Sequence, residues 1–133
     1  MLTEILERIQ KAFANIKVEE FMTKDVTFVR LNKTVAQVKE ILRLKRISGV
    51  PVVDDENHVI GILSIEDIIK CLESGKLTDK VSEHMTRNVI CLTSEMTLQD
   101  AIKHFDRYRY GRFPVVDGQG RLVGIVTKND ILA

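Results

Sequence analysis

Gly49-Val50-Pro51-Val52-Val53-Asp54 is followed, after a polar turn, by Gly61-Ile62-Leu63-Ser64-Ile65-Glu66-Asp67. The same arrangement returns as Arg112-Phe113-Pro114-Val115-Val116-Asp117 and Gly124-Ile125-Val126-Thr127-Lys128-Asn129-Asp130. Working outward, the correspondence covers residues 22–69, which fall on residues 85–132 at a constant offset of 63 without a gap. Thirteen of the 48 pairs are identical, among them Met22/Met85, Thr23/Thr86, Thr34/Thr97, Arg46/Arg109 and Pro51/Pro114. Average residue usage would give roughly three. A repeated unit of this length cannot bury its own apolar face alone, so the two copies are expected to pack on each other and leave a cleft with near two-fold symmetry.

Each copy reads strand–helix–strand–strand–helix. In the first, residues 26–29 form a short strand, and Thr34 with Gln37 makes a capping box before a helix whose apolar stripe is Val35, Val38, Ile41 and Leu42. Arg46-Ile47-Ser48-Gly49 ends that helix, with basic charge at its negative pole and glycine as the stop. Residues 50–53 and 59–63 form a hairpin around the turn at 54–57, and Ser64 caps a closing helix. The second copy repeats this with a strand at 89–92, a helix opened by Thr97 and stopped at Gly111, a hairpin over 113–126, and a closing helix begun by Thr127.

The domains expected are therefore repeat 1 over residues 18–74, a polar linker at 75–80 and repeat 2 over 81–133, preceded by an amphipathic helix at 1–17. In that first helix Leu2, Ile5, Leu6, Ile9, Ala12, Phe13 and Ile16 share one face, opposite Glu4, Glu7, Arg8 and Lys11. It is expected to cover an apolar face of the module or of a second subunit; a signalling helix is the alternative. The last helix stops about one turn in. That predicts truncation from a longer protein with an output domain beyond residue 133, against a natural terminus with a short last helix.

Composition excludes several classes. The chain has 133 residues, 29% charged and 44% apolar, with a net charge of +1, which speaks against bulk duplex DNA as a partner. Arg107-Tyr108-Arg109-Tyr110-Gly111-Arg112 mixes cations with stacking rings, but it ends a helix, where positive charge is favourable anyway. Nucleic acid is not an expected partner. Two cysteines, Cys71 and Cys91, are too few for a disulfide framework and read as buried thiols in a reducing cytoplasm. Nothing resembles a membrane span or a secretion signal. His58, His84 and His104 lack metal-ligand spacing, and no catalytic signature stands out, so neither a metal nor an enzyme is expected.

With these elements in their order, spacing and duplication, residues 18–133 resemble a tandem pair of CBS domains, the regulatory modules named after cystathionine β-synthase. The resemblance implies an α/β fold of two packed repeats with two pseudo-symmetric clefts, which often bind AMP, ADP, ATP or S-adenosylmethionine and regulate an attached enzyme, channel or transporter. No cofactor is required; the adenine nucleotide is a regulatory ligand. A homodimer is expected.

The Ser/Thr-x-x-Asp motifs, Ser64–Asp67 and Thr127–Asp130, carry two meanings. By themselves they are helix caps. The resemblance implies that the same carboxylates accept ribose hydroxyls, while a helix N-terminus faces phosphate. In the family each cleft takes its carboxylate from one repeat and its adenine-facing stretch from the other. The first site would then combine Thr127, Lys128 and Asp130 with Thr23, Val26, Thr27, Phe28, Ile47, Ser48, Gly49, Val50 and Pro51. There the backbone near residues 26–28 reads the adenine edge, Ile47 and Val50 touch the ring, and Lys128 meets phosphate. The second would combine Ser64 and Asp67 with Thr86, Val89, Ile90, Cys91, Tyr110, Gly111, Arg112, Phe113 and Pro114. Ile65 replaces the lysine there, Arg112 offers a cation to either site, and Tyr110 and Phe113 narrow the cleft. The Asp130 site ranks first. The rival is a ligand-free module that only dimerises a larger protein.

Overall fold

The computed structural model describes residues 1–132, the side chain of Phe13 excepted. In chain order the elements are α1 (Leu2–Asn15), α2 (Val18–Phe21), β1 (Val29–Arg30), α3 (Val35–Lys45), β2 (Gly49–Val53), β3 (Val59–Ser64) and α4 (Ile65–Ser74). A 3-10 turn (Val81–Glu83), β4 (Leu92–Thr93), α5 (Leu98–Tyr108), β5 (Arg112–Val116), β6 (Leu122–Thr127) and α6 (Lys128–Leu132) follow. The strands form two three-stranded sheets, β1-β2-β3 and β4-β5-β6. In each, the short first strand runs parallel to the middle one and the third runs antiparallel to it. This is the mixed α/β fold that the doubled pattern implies, with the N-terminal helix in place.

The packed bodies are not the repeats as the chain writes them. One compact unit is Thr27–Val89; the other joins Met1–Val26 to Ile90–Ala133. Each unit thus holds one sheet with the lead-in segment of the other repeat. Thr86 exchanges both backbone hydrogen bonds with Ile62 at 2.9 Å, and Thr23 does so with Ile125 at 2.8 and 2.9 Å. The glycines beside these contacts are needed for room. A Cβ on Gly61 would collide with the sulfur of Met85 and come within 3.1 Å of the Thr86 carbonyl; one on Gly124 would collide with Met22 and come within 3.0 Å of the Thr23 carbonyl. Met22 and Met85 therefore seat these segments on the sheet, the gap-filling role expected of a flexible thioether.

In the Thr27–Val89 unit, Val35, Val38 and Leu42 of α3 meet Val50, Val52 and Leu63 of the sheet and Ile68 and Cys71 of α4. Residues 75–80, read as a polar linker, are tied down. Gly75 (φ 69°) caps α4, the Val35 and Ala36 amides donate to the Asp79 and Leu77 carbonyls at 2.9 Å, and Lys80 bridges to Thr34. In the other unit Phe113 is fully buried, with Phe105 4.8 Å away edge to face, among Val18, Leu92, Ala101, Val115 and Val126.

Three local expectations need correction. The first strands start later than expected: residues 26–28 and 89–91 lie outside the ladders, and pairing begins at Val29 and Leu92, the buried positions opposite Val52 and Val115. Arg30 fixes the first of these strands by donating to the Asp54 carbonyl and, at 2.8 Å, to Asn57 Oδ1. Glycine does not stop α3 and α5. Arg46 (φ 56°) and Arg109 (φ 55°) take the left-handed position, so this identical pair marks backbone geometry as well as charge. Finally, Leu2, Ile5, Leu6 and Ile9 of α1 are 46–72% exposed, so these four do not cover the module, which leaves the second subunit of the two expected partners. The polar edge of α1, Glu7, Gln10 and Lys11 with Ala14, instead borders an open cavity of about 660 Å³ against Leu98, Gln99, Ile102 and Ile131. Phe13 of the expected stripe and Ala133 lie outside the described side chains.

Candidate functional site

The two Ser/Thr-x-x-Asp motifs sit where the third strand of each sheet passes into the closing helix. Thr127 ends β6 and α6 begins at Lys128; Ser64 ends β3 and α4 begins at Ile65. The hydroxyl residue has extended backbone, and its side chain and the carboxylate three residues later cap each other. Asp130 Oδ2 accepts from the Thr127 amide at 2.8 Å and from its hydroxyl at 3.2 Å. Asp67 Oδ2 accepts from the Ser64 amide at 2.9 Å and its hydroxyl at 3.0 Å. Both carboxylates are half-buried, so capping leaves each within reach of solvent.

The motifs differ at their second oxygen. Asp130 Oδ1 accepts from the Thr23 hydroxyl at 3.1 Å. Thr86, the counterpart of Thr23, makes the same backbone bonds, but among the described residues its hydroxyl gives none to Asp67. The surrounding charge differs too. Lys128 is exposed at the start of α6, and Arg112 stands opposite Thr127 in the β5–β6 ladder. The corresponding positions in the other unit are Ile65, 41% exposed, and Gly49, opposite Ser64. Gly49 is closely covered, since a Cβ there would lie 3.2 Å from the Leu63 carbonyl.

Of the first expected site, Thr23, Val26, Thr127, Lys128 and Asp130 belong to the unit containing the termini, and Thr27, Phe28, Ile47, Ser48, Gly49, Val50 and Pro51 to the Thr27–Val89 unit. Of the second, Ser64, Asp67, Thr86 and Val89 lie in Thr27–Val89, and Ile90, Cys91, Tyr110, Gly111, Arg112, Phe113 and Pro114 in the other. The structure brings Thr23 to Asp130, a pairing that sequence spacing does not signal. It corrects one expected side-chain role: Val50, 1% exposed in the core of its unit, has almost no surface to offer a ring, and Phe113, expected to narrow the second cleft, is likewise a core residue, 0% exposed. Phe28 (42% exposed), Tyr110 (45% exposed) and Ser48 remain accessible. Tyr110 stacks on Tyr108 at 6.1 Å.

Cys71 is buried as expected, Cys91 only half-buried, and desolvation raises both above the ordinary thiol range, Cys91 to about 11. Among the described residues no helix is long and apolar enough to cross a membrane.

Residues 18–74 and 81–133 each match the family model described as CBS domain. Inosine-5'-monophosphate dehydrogenase of Methanocaldococcus jannaschii is 35% identical over 128 residues, 96% of this chain but 25% of that enzyme, so the chain spans about a quarter of that relative. Among solved structures, the CBS domain pair of protein MJ0100 in complex with 5'-methylthioadenosine and S-adenosyl-L-methionine is 32% identical with a TM-score of 0.76, covering 87% of this chain and 92% of that one. CBSX2 in complex with AMP is 28% identical with a TM-score of 0.78, covering 88% and 93%.

Proposed function

The chain belongs to the CBS domain family, and from that premise we propose that it binds an adenosine-containing ligand, of the AMP, ADP, ATP or S-adenosylmethionine class, and so controls an attached or partner activity. The observation that carries this reading is the half-buried Asp130 carboxylate, held by Thr127 and by the distant Thr23 hydroxyl. Three protein donors fill three of the roughly four acceptor positions of the Asp130 carboxylate, so one ribose hydroxyl takes the fourth and the second must displace the Thr23 or Thr127 hydroxyl. Binding of AMP by CBSX2 and of 5'-methylthioadenosine and S-adenosylmethionine by the MJ0100 pair supports the ligand class. A regulatory rather than catalytic role agrees with a match that spans only a quarter of the dehydrogenase.

Charge divides the two motifs. Lys128 follows Thr127 at the start of its helix, whereas Ile65 holds that place after Ser64; Arg112, opposite Thr127 in the ladder, belongs to the expected second site and can serve either. The Asp130 motif is therefore the one suited to a phosphorylated nucleoside, and it ranks first. The ligand acts only through its different affinity for two states of the protein.

A second reading, a homodimer serving as scaffold, is favoured by the exposed apolar side chains. Leu2, Ile5, Leu6 and Ile9 of α1 and Ile65, Ile69 and Leu72 of α4 are each more than 40% exposed. Cells with a reducing cytoplasm suit the free thiols of either reading. Thermal unfolding with AMP, ADP, ATP and S-adenosylmethionine separates the two. A ligand at about 100 times its Kd adds about 2.7 kcal/mol of stability. No change with any of the four leaves the scaffold.

A further inference from the structure

We propose that the turn at residues 79–84 binds a divalent first-row transition ion, zinc above all, through Asp79, Glu83 and His84. Each of these side chains offers one ligand atom, and the three atoms lie within 4.8 Å of one another. The His84 ring nitrogen Nε2 is 2.9 Å from Asp79 Oδ2. Donors around a tetrahedral zinc stand roughly 3.4 Å apart, as bonds of about 2.0–2.1 Å require, so His84 and Asp79 part slightly while any separation up to the 4.8 Å limit closes by a side-chain adjustment. One Glu83 oxygen, Oε2, accepts from the Lys80 amide at 3.2 Å, which holds the carboxylate over the turn and leaves the other oxygen for the ion.

The chain contains its own control for whether the fold needs these groups. A counterpart of this turn is built from residues 16–21, as an α-helical turn (Val18–Phe21) where the other is 3-10 (Val81–Glu83), with matching hydrogen bonds at both ends. The Val35 amide donates to the Asp79 carbonyl at 2.9 Å, as the Leu98 amide does to that of Ile16 at 2.8 Å. The Met85 amide donates to the Val81 carbonyl at 2.9 Å, as that of Met22 does to Val18 at 2.9 Å. Glu20 takes the Lys17 amide just as Glu83 takes that of Lys80. Yet Ile16 and Phe21 occupy the places of Asp79 and His84. The backbone closes without a carboxylate and an imidazole, so this pair is an addition to the turn and not a condition of it.

The donor set selects the ion. One imidazole nitrogen with two carboxylate oxygens suits zinc and its neighbours, whereas magnesium and calcium prefer all-oxygen shells. The His84 and Asp79 side chains are 22% and 37% exposed, so the ion reaches them from solvent and keeps water at its open position. The turn leads directly into Met85 and Thr86, which meet Gly61 and Ile62, so a bound ion would fasten that segment to its sheet. The proposal stands independently of nucleotide binding.

Titration calorimetry with zinc chloride on the 133-residue chain tests it, beside Asp79→Asn and His84→Phe. The latter installs the residue found at the equivalent place in the other turn, so its circular dichroism should match the parent. One equivalent of zinc is expected, not displaced by a large excess of magnesium, with affinity weakened about tenfold or more in each variant, at least what loss of a supporting group costs a metal site. Absence of zinc binding, or binding of unchanged affinity in both variants, overturns it.

Discussion

The Thr23 hydroxyl donates to Asp130 Oδ1 at 3.1 Å, although 107 positions separate the two residues. The bond depends on Thr23 lying beside Ile125 in one unit with β6. Its counterpart Thr86 lies equally close to β3 but makes no such bond among the described residues. Thr23→Val should therefore destabilise the chain by about 0.5–1.5 kcal/mol, the ordinary net value of one hydrogen bond. Thr86→Val should stay within about 0.5 kcal/mol of the parent. Urea unfolding of both variants gives the comparison, and equal losses would remove the asymmetry argued between the motifs.

Gly61 with Met85, like Gly124 with Met22, forms a tight seat for a lead-in segment. Gly61→Ala forces the methionine aside and presses on the Thr86 carbonyl, a case of overpacking expected to cost about 1–3 kcal/mol. Shortening the partner in Gly61→Ala/Met85→Val should recover part of that loss relative to the sum of the single changes. Strict additivity in chemical denaturation would show that the sulfur contact is not the cause.

Arg46 and Arg109 hold left-handed backbone at the ends of α3 and α5, where a Cβ is unfavourable by about 1–2 kcal/mol. Arg46→Gly removes that strain but adds freedom to the unfolded chain, so a net gain of about 0.5–1 kcal/mol is expected. A loss of stability in the same measurement would mean that the arginine side chain matters more than its backbone.

Asp54 and Asp117 organise the two hairpin turns. The His58 amide chiefly, with that of Glu56, holds the Asp54 carboxyl below its ordinary value of 3.8; the Arg121 amide chiefly, with that of Gln119, does the same for Asp117. Because the folded values are depressed, this stabilisation is present above 3.8 and is lost as pH falls through them. Thermal unfolding temperature should drop in that acidic window, and less steeply in Asp117→Asn. An unaltered slope in the variant would assign the acid sensitivity to other groups.

Much of this was legible in the sequence because the physics was local. The capping boxes at Thr34, Ser64, Thr97 and Thr127 depend on residues three apart, and the hairpins on short alternating runs. What escaped was non-local or conformational. The family resemblance put Thr23 in one site with Asp130, but no spacing shows that the two side chains bond, or that each lead-in segment belongs to the compact unit of the other repeat's sheet. Arg46 looked like a charge at a helix end because its left-handed geometry leaves no trace in residue type. Val50 was read as a ring contact and Phe113 as narrowing the second cleft because an apolar residue beside a proline suits a core and a pocket equally, and both are buried in the cores of their units. The amphipathic pattern of α1 was plain, but not whether its apolar stripe would serve the module or a second subunit; in the chain its first four apolar residues are open.

The most direct test of the central claim is titration calorimetry with AMP and ATP on the parent chain and on Asp130→Ala. Loss of a charged hydrogen-bond acceptor should cost about 1.5–3 kcal/mol, on the order of 10–100-fold in affinity. Nucleotide affinity that is the same in both proteins would contradict the account.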